Sequence, residues 1–373
     1  MSQTADAQPF KAEKRPIQVM LVDDSAVVRG MIRRYLDPKT DIEVVATSSN
    51  GEIAVATLKR NPDIDLIVLD IEMPVMDGLT AIPLLLEVKP DIKIVMASTL
   101  TERNADISLR ALAAGATDYV AKPSSGAGLS TADDFKRELI EKIYSLAPTN
   151  RVNRSSAPKS VSPVPQRPRG PVALQAGVVA KPAALAIGSS TGGPQALTRV
   201  LTDLDSTIGI PIFITQHMPA TFTALLAKHL TRDTGHNVVE ATDGQPVERN
   251  MAFLAPGDFH MTIEGSPTAG VIKLTQGPKV NFCRPSVDPM LQSLVKVYGR
   301  SLLTVILTGM GHDGRDGCQE VVAAGGAVLA QDEASSVVWG MPGAVAEAGL
   351  CRQILDLSAI SPAIHKILGG AMT

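Results

Sequence analysis

The sequence predicts an α/β protein made of two successive units, each with a mostly parallel sheet. Short, continuous apolar runs alternate with segments of helical periodicity over most of the 373 residues. Such runs are typical of strands that helices cover on both faces. One proline-rich, basic stretch interrupts the alternation, and a chain of this length with 45% hydrophobic residues is long enough for about two domains.

The first unit is predicted to span residues 16–147, after a polar tail at residues 1–15 that we expect to be disordered. Its expected strands are Ile17–Val22, Ile42–Ala46, Leu66–Leu69, Ile94–Ala97 and Tyr119–Ala121. Helical periodicity follows each of them, at Ala26–Leu36, Ile53–Arg60, Leu79–Val88, Arg103–Ala114 and Asp134–Leu146. This alternation predicts a five-stranded parallel sheet, and ligands of such sheets bind at the carboxyl ends of the strands.

Polar side chains stand at those strand ends. Asp23 and Asp24 follow the first strand, Asp70 the third, Ser98 the fourth and Lys122 the fifth. Three converging carboxylates repel one another unless a hard cation joins them, and Mg²⁺ prefers such oxygen ligands and keeps waters for a phosphate. A lysine and a hydroxyl are suited to bind an added phosphoryl group. A single aspartate would be read as a helix cap, but the full set predicts a phosphorylation site.

This set resembles the receiver domain of two-component response regulators over residues 16–147. The matching stretches are Val-Asp-Asp (22–24), Leu-Asp-Ile-Glu-Met-Pro (69–74), Met-Asp-Gly (76–78) and Lys-Pro (122–123), with Ser98 and Tyr119. The resemblance implies a flavodoxin-like (βα)5 fold in which Asp70 accepts a phosphoryl group from a histidine kinase. It also implies Mg²⁺ ligands (Asp23, Asp24, Asp70 and the Glu72 carbonyl), switch residues (Ser98 and Tyr119), a phosphate-sensing Lys122 and a cis Lys122–Pro123 bond.

Residues 148–182 are predicted to be a linker. They contain seven prolines and six lysines or arginines, with no aspartate or glutamate. This composition is typical of a semi-extended spacer. Its basic residues are expected to keep the spacer soluble, with contact to an acidic partner as the alternative.

The second unit is predicted to span residues 183–373. Its expected strands are Ala184–Ile187, Ile210–Thr215, Val238–Ala241, Met251–Leu254, Val271–Leu274, Leu302–Leu307 and Ala327–Ala330. Its expected helices are Gln195–Leu204, Thr221–Leu230, Pro289–Tyr298, Gly317–Ala324 and Gly343–Ala348. Short runs and turn residues between 237 and 279 indicate an antiparallel section within a mostly parallel, doubly wound domain.

The first strand of this unit ends in Gly-Ser-Ser-Thr-Gly (188–192), a Gly-x-Ser-x-Gly pattern. At a tight strand-to-helix turn this pattern presents one hydroxyl, here that of Ser190, at the end of the strand. The backbone N–H of Thr191, at the start of the helix, is the candidate donor to a developing oxyanion. Ser189 and Thr191 are rival nucleophiles, and the alternative without catalysis is a turn that connects two elements or cradles a phosphate.

Two further strand ends carry polar residues that suit a catalytic triad. His217 follows the second strand, and Asp313 lies in a glycine-rich loop after the sixth. Serine, histidine and aspartate at one sheet edge form the arrangement in which histidine takes the hydroxyl proton and aspartate orients the histidine. Their chain order differs from that of the α/β-hydrolase superfamily. His312 is the rival base, and His229 and His236 are expected to be solvated.

The second unit resembles the chemotaxis protein-glutamate methylesterases of the CheB family, so that the resemblance spans nearly the whole chain. The matching stretches are Ile-Gly-Ser-Ser-Thr-Gly-Gly-Pro (187–194), Gln-His-Met-Pro (216–219), Leu-Ala-Pro-Gly-Asp-Phe-His-Met (254–261), Arg-Pro-Ser-Val-Asp (284–288), Leu-Thr-Gly-Met-Gly-His-Asp-Gly (307–314) and Val-Trp-Gly-Met-Pro-Gly-Ala (338–344). It implies that Ser190 is the nucleophile, His217 the base and Asp313 the third member, with Met310 lining the site. His312 stands where other members often have asparagine.

The resemblance implies a phosphorylation-regulated hydrolase of the α/β type. Its expected substrates are glutamate methyl esters and selected glutamines on methyl-accepting chemoreceptors, its phosphodonor is a kinase of the CheA type, and the esterase reaction needs no cofactor. The net charge of −3 and the absence of a basic helix-turn-helix region give no reason to expect nucleic-acid binding. No apolar run has membrane-spanning length, and three scattered cysteines fit a cytoplasmic setting. The alternatives are a non-catalytic output domain and a nucleotide-binding effector, whose glycine motif is missing.

Overall fold

The structure is a computed structural model that describes residues 15–99, 101–123, 129–147, 174–175 and 180–370. The predicted N-terminal tail, apart from Arg15, lies outside these ranges. So does the predicted linker, apart from residues 174–175 and 180–182. The predicted domain limits therefore stay predictions.

The first domain is a parallel sheet between two layers of helices. Its strands are β1 (Ile17–Val22), β2 (Ile42–Ser48), β3 (Leu66–Asp70), β4 (Lys93–Ser98) and β5 (Asp118–Ala121). Its helices are α1 (Ala26–Leu36), α2 (Gly51–Arg60), α3 (Gly78–Val88), α4 (Glu102–Ala113) and α5 (Leu129–Leu146). The strand order is β2-β1-β3-β4-β5, with every pairing parallel. This is the predicted flavodoxin-like arrangement, and it places the ends of β1 and β3 side by side.

Side-chain caps fix where the first four helices begin. Ser25, Asn50, Asp77 and Thr101 each accept a hydrogen bond from a backbone N–H of the following first turn. Such a cap satisfies one of the donors that a helix N-terminus leaves free. The predicted cis Lys122–Pro123 bond is wrong, because Arg284–Pro285 is the cis peptide found in the described ranges.

The second domain has a larger parallel sheet and a separate hairpin. Its strands are β6 (Ala184–Ser189), β7 (Ile212–Gln216), β8 (Asn237–Glu240), β9 (Met251–Leu254), β10 (His260–Ser266), β11 (Ala269–Thr275), β12 (Leu302–Ile306), β13 (Ala327–Gln331) and β14 (Gln353–Leu355). Its helices are α6 (Gly193–Thr202), α7 (Ala220–Thr234), α8 (Val287–Tyr298), α9 (Arg315–Ala323), α10 (Met341–Glu347) and α11 (Leu357–Leu368). The main sheet has the order β14-β13-β12-β6-β7-β9-β8.

The predicted antiparallel section is present, but it lies outside the main sheet. All pairings of the main sheet are parallel, whereas β10 and β11 form a two-stranded antiparallel sheet of their own. Sequence analysis missed β10, whose second half is polar and exposed, and β14, which has only three residues. Both lack the continuous apolar run on which the prediction of strands relied.

The two domains pack against each other through α4, β5 and α5 of the first and α6, α7 and nearby loops of the second. The ring of Tyr119 stacks on that of Phe222, with centroids 4.4 Å apart and an interplanar angle of 12°. Gln195 donates from Nε2 to the carbonyl oxygen of Ala116 at 2.9 Å. His229 contacts Asp106 across the interface, and His236 is buried against the Leu204 carbonyl, so the expectation that both are solvated is wrong.

Phe213→Ala is expected to destabilise the second domain strongly. Phe213 is fully buried in β7 and stacks on Phe253 at 5.7 Å, so truncation leaves a cavity and costs about 3–5 kcal/mol. The control is Phe282→Ala, because Phe282 is 80% exposed and its loss should change stability by less than about 0.5 kcal/mol. Trp339 is the only tryptophan, so its fluorescence during urea unfolding reports on this domain. Equal midpoints for the two variants would contradict the packing described.

Candidate active site

Ser190 lies in the turn between β6 and α6. Its backbone N–H donates to the Thr308 carbonyl at 3.1 Å, and its own carbonyl accepts from Gly193 at 2.7 Å. Gly192 takes a φ of 74°, a conformation that favours glycine, as the cap of α6. A Cβ on Gly193 would overlap the side-chain oxygen of Gln216. The small residues of the motif are therefore needed for this turn, which presents Ser190 at a helix N-terminus.

The two rival nucleophiles are occupied. Ser189 is fully buried, and its hydroxyl donates to Gln216 Oε1 at 2.7 Å. The Thr191 hydroxyl donates to Asp118 Oδ2 at 2.7 Å, inside the domain interface. Within the described ranges, the Ser190 hydroxyl has no hydrogen-bond partner, and the backbone N–H of Thr191 also has none. This leaves one available hydroxyl with a donor next to it.

His217 and Asp313 form a hydrogen-bonded pair beside this turn. His217 Nε2 lies 2.7 Å from Asp313 Oδ2, and the backbone N–H of His217 donates to the Ser189 carbonyl at 3.1 Å. The buried Asp313 carboxylate also accepts from the Val287 N–H and the Ser286 hydroxyl, both at 2.7 Å. His312 is exposed, so the rival base lies outside this network.

The environment sets the charges of the pair. Burial alone would raise the pKa of Asp313, but hydrogen bonds from His217, Val287 and Ser286 hold that pKa below its ordinary range. Burial alone would lower the pKa of His217, but Cys283 and Asp313 outweigh it and raise that pKa to about 10. The aspartate is thus held as an anion that stabilises a cationic imidazole.

The predicted phosphorylation site comes together at the ends of β1, β3 and β5. Ligand oxygens of Asp23, Asp24 and Asp70 lie within 4.8 Å of one another. Lys122 Nζ lies 2.7 Å from both Asp23 Oδ2 and Asp70 Oδ1. Burial raises the pKa of Asp70, and Lys122 opposes that rise. Three carboxylates around one point are a donor set that fits a hard divalent cation.

The other predicted residues of this site lie around it. Ser98 is buried and donates from Oγ to the Thr99 carbonyl at 3.2 Å, while the Glu72 side chain faces Arg103 at 3.6 Å. Tyr119 is buried against Phe222 in the interface, and burial raises the pKa of its phenol well above its usual range. The structure therefore brings Lys122 and the aspartates together, and it places Tyr119 on the surface that meets the second domain.

The two domains match two different known protein families. A family described as "Response regulator receiver domain" matches residues 19–132, and one described as "CheB methylesterase" matches residues 185–364. A protein-glutamate methylesterase/protein-glutamine glutaminase of Azospirillum brasilense is 54% identical over an alignment of 372 positions, which covers 95% of this chain and 94% of that protein. The chain belongs to the CheB methylesterase family.

A second relative agrees with this membership. A protein-glutamate methylesterase/protein-glutamine glutaminase of Rhodospirillum centenum is 53% identical over 375 residues, with 94% of each chain covered. The crystal structure of the Thermotoga maritima CheB methylesterase catalytic domain is 36% identical, covers 50% of this chain and 100% of that chain, and has a TM-score of 0.49. None of the helices in the described ranges is long and apolar enough to cross a membrane.

Sequence reasoning missed Cys283 in this methylesterase site. Its Sγ lies 3.4 Å from His217 Nδ1, the ring nitrogen that does not face Asp313. Nδ1 is therefore the ring nitrogen that Asp313 does not occupy, and its neighbour is the Cys283 side chain. The sequence offered no signal for this contact, since an isolated cysteine in a turn has no recognisable spacing. Met310, predicted to line the site, packs against an apolar cluster that includes Val338 and receiver residues such as Phe135 and Leu139.

Cys283→Ala is expected to shift the pH dependence of ester hydrolysis. Cys283 contributes to raising the pKa of His217 from 6.5 to about 10, and the imidazole acts as a base only when neutral. Without the thiol that pKa falls, so kcat/KM should reach its plateau at lower pH than in the wild type. The control is Cys351→Ala, since the pKa of Cys351 is shifted by burial alone. Identical profiles for Cys283→Ala and the wild type would rule out the contact as an influence on the base.

Proposed function

We propose that this chain hydrolyses glutamate methyl esters and deamidates glutamines on chemoreceptors, and that phosphorylation of its receiver domain controls the reaction. One observation carries the chemistry: the His217–Asp313 pair lies at the sheet edge where the turn presents Ser190. The names of the relatives support the substrate class, because they describe methylesterases and glutaminases that act on protein glutamate and glutamine. The receptors themselves are expected from the resemblance to the chemotaxis family.

The proposed reaction uses the triad in the usual roles. The Ser190 hydroxyl attacks the ester carbonyl, and His217 Nδ1 takes its proton because Nε2 is committed to Asp313. The Asp313 carboxylate stabilises the resulting imidazolium, which then protonates the ester oxygen as its bond to the carbonyl carbon breaks, so that methanol departs. Water, activated by the same histidine, releases glutamate from the glutamyl-enzyme. The free backbone N–H of Thr191 is proposed to donate to the oxyanion.

Methyl esters and primary amides differ in their leaving group. The imidazolium gives its proton to the leaving ester oxygen in the first case and to the leaving amide nitrogen in the second, so one site can release either methanol or ammonia. No step of this mechanism requires a cofactor in the second domain. In the proposed reaction, His217 Nδ1 must exchange its Cys283 neighbour for the Ser190 hydroxyl.

In the receiver domain, Asp70 is proposed to accept a phosphoryl group from a histidine kinase of the CheA type. Asp23, Asp24, Asp70 and the Glu72 carbonyl would hold Mg²⁺, which neutralises phosphate charge when it is bound. Lys122 now bridges Asp23 and Asp70. A phosphoryl group on Asp70 gives Lys122 and Ser98 a stronger acceptor and thereby alters β4 and β5.

The unmodified receiver is proposed to inhibit the esterase by covering the Ser190 face. The Thr191 hydroxyl, one residue after Ser190, donates to Asp118 of β5. Asp118 is adjacent to Tyr119 and is paired with Lys142 of α5 at 2.9 Å. A contact from the phosphorylation-sensitive strand to the nucleophile's own turn gives a direct physical route for control.

Methanol release from methylated receptor membranes tests the function. Wild type, Ser190→Ala and Asp70→Asn are compared with and without a small-molecule phosphodonor. We expect a donor-stimulated wild type, an Asp70→Asn variant that is active but unresponsive, and a Ser190→Ala variant at least about 10³-fold slower. Full activity of Ser190→Ala would show that the nucleophile is misassigned. Stimulation of Asp70→Asn equal to that of the wild type would remove Asp70 from the control.

Gln195→Glu is expected to raise activity without phosphodonor. Gln195 Nε2 donates to the carbonyl oxygens of Leu112 and Ala116, so the isosteric glutamate would place a carboxylate against two acceptors. Because the repulsion acts only while the domains are docked, phosphodonor-treated activity should change little. The control is Gln353→Glu, on the edge strand β14. A basal rate equal to that of the wild type would contradict inhibition by this interface.

A further inference from the structure

A two-residue turn between Val280 and Cys283 reaches the triad. Val280 and Cys283 pair through two backbone hydrogen bonds of 3.1 and 2.9 Å. The two residues between them have positive φ, 51° at Asn281 and 65° at Phe282. Asparagine tolerates this conformation, whereas a bulky aromatic residue rarely adopts it. The turn therefore points Asn281 towards Asp313 and leaves the Phe282 side chain 80% exposed.

The side chain of Asn281 connects two buried carboxylates. Its Nδ2 donates to Asp313 Oδ1 at 2.9 Å and to Asp288 Oδ2 at 2.8 Å. Asp288 lies in the first turn of α8, and its other oxygen accepts from the Gly317 N–H at 2.7 Å. Each carboxylate thus receives one hydrogen of a single amide group, so the amide fixes the distance between them.

We propose that Asn281 is a positioning residue of the catalytic triad, whose amide holds the Asp313 carboxylate against His217 by tying it to Asp288. This inference rests on the proposed function for its kinetic consequence, but the contacts it concerns are present without substrate. Asn281 touches neither Ser190 nor the ring of His217 in the described hydrogen bonds, so its effect passes through Asp313.

A neutral double donor suits this position. Two carboxylates so close to each other repel, and the pKa of Asp288 is raised, first by burial and then by Asp313. A cationic side chain would relieve this repulsion, but it would also neutralise the charge that Asp313 offers to the imidazolium. The amide stabilises both carboxylates by hydrogen bonding and leaves that charge available.

The other titratable groups around the pair are His217, with Cys283 beyond it, and Cys318 of α9. Burial raises the pKa of the Cys318 thiol well above its usual range, so this thiol stays neutral while the carboxylates titrate. Hydrogen bonds from Asn281 favour the charged carboxylates. Their loss weakens the anionic partner of His217, so the pKa of that imidazole falls. The acid limb of kcat/KM, which requires the neutral base, then moves to lower pH.

The alternative explanation is that asparagine is present only because it tolerates a positive φ. Asn281→Gly distinguishes this explanation from the positioning role, because glycine keeps the turn and removes the amide. Asn281→Asp keeps the size and also tolerates the conformation, but it adds a third carboxyl group. A role in the turn alone predicts nearly wild-type activity for both variants. The matched control is Asn250→Gly, since Asn250 also has a positive φ, of 58°, and caps a loop at the Gly209 N–H.

The experiment measures methyl ester hydrolysis by the full chain across pH and the imidazole signals of His217 by ¹⁵N NMR. We expect Asn281→Gly to lower kcat about tenfold or more with little change in KM, and Asn281→Asp to lower it further. The acid limb should move down in pH for Asn281→Gly, and Asn250→Gly should match the wild type. In the NMR spectra, Asn281→Gly should titrate His217 at lower pH, because its anionic partner is held less firmly.

The two readouts separate the possible failures. A wild type that releases no methanol, with His217 still shifted by Asn281→Gly, would refute the proposed function and support the positioning role. Wild-type kinetics together with an unshifted His217 in Asn281→Gly would overturn the positioning role and leave the function intact. Equal losses in Asn281→Gly and Asn250→Gly would also overturn it, because the effect would then come from the turns.

Discussion

The buried carboxylate of Asp118 is the interaction on which the arrangement of the two domains depends. It pairs with Lys142 of the receiver at 2.9 Å and accepts from the Thr191 hydroxyl of the methylesterase domain at 2.7 Å. Burial would lower the pKa of Lys142, but Asp118 and Glu138 outweigh it and raise that pKa. A buried charge needs all its partners, so separating the domains requires Asp118 to replace the hydroxyl with water. In the proposed control of the active site, release of the receiver therefore exchanges the Thr191 hydroxyl for water at this one carboxylate.

The order of the strands in each sheet determines which side chains meet at the two candidate sites. In the first sheet, neighbouring β1 and β3 bring Asp23 and Asp70 within reach of Lys122, which follows β5. In the second, β6 lies between β12 and β7, so the loops after these three strands carry Ser190, His217 and Asp313 to one edge. Both sites stand at carboxyl ends of parallel strands, where side chains from separate segments converge.

The central strands and the positions of both candidate sites could be predicted, because short stretches of sequence indicate them. Apolar runs located the central strands, and polar residues at their ends located both sites. The contacts of Cys283 and Asn281 with the triad could not be predicted. They depend on a turn with two positive φ angles, and no sequence pattern here indicates that turn. The contact of Asp118 with Thr191 joins residues 73 positions apart across two domains, and no periodicity encodes it. The antiparallel section and the strand within β11 were predicted, whereas β10 was missed because its second half is polar and exposed.

The most direct test of this account is hydrogen–deuterium exchange of the full chain before and after treatment with a phosphodonor. Before treatment, amides around Phe222 of α7 and Tyr119 of β5 are expected to be protected from exchange, because their rings stack in the interface. On phosphorylation of Asp70, exchange should rise at both of these surfaces together and stay unchanged in the central strand β12. Protection that persists at both surfaces while Asp70 carries the phosphoryl group would contradict release of the docked receiver.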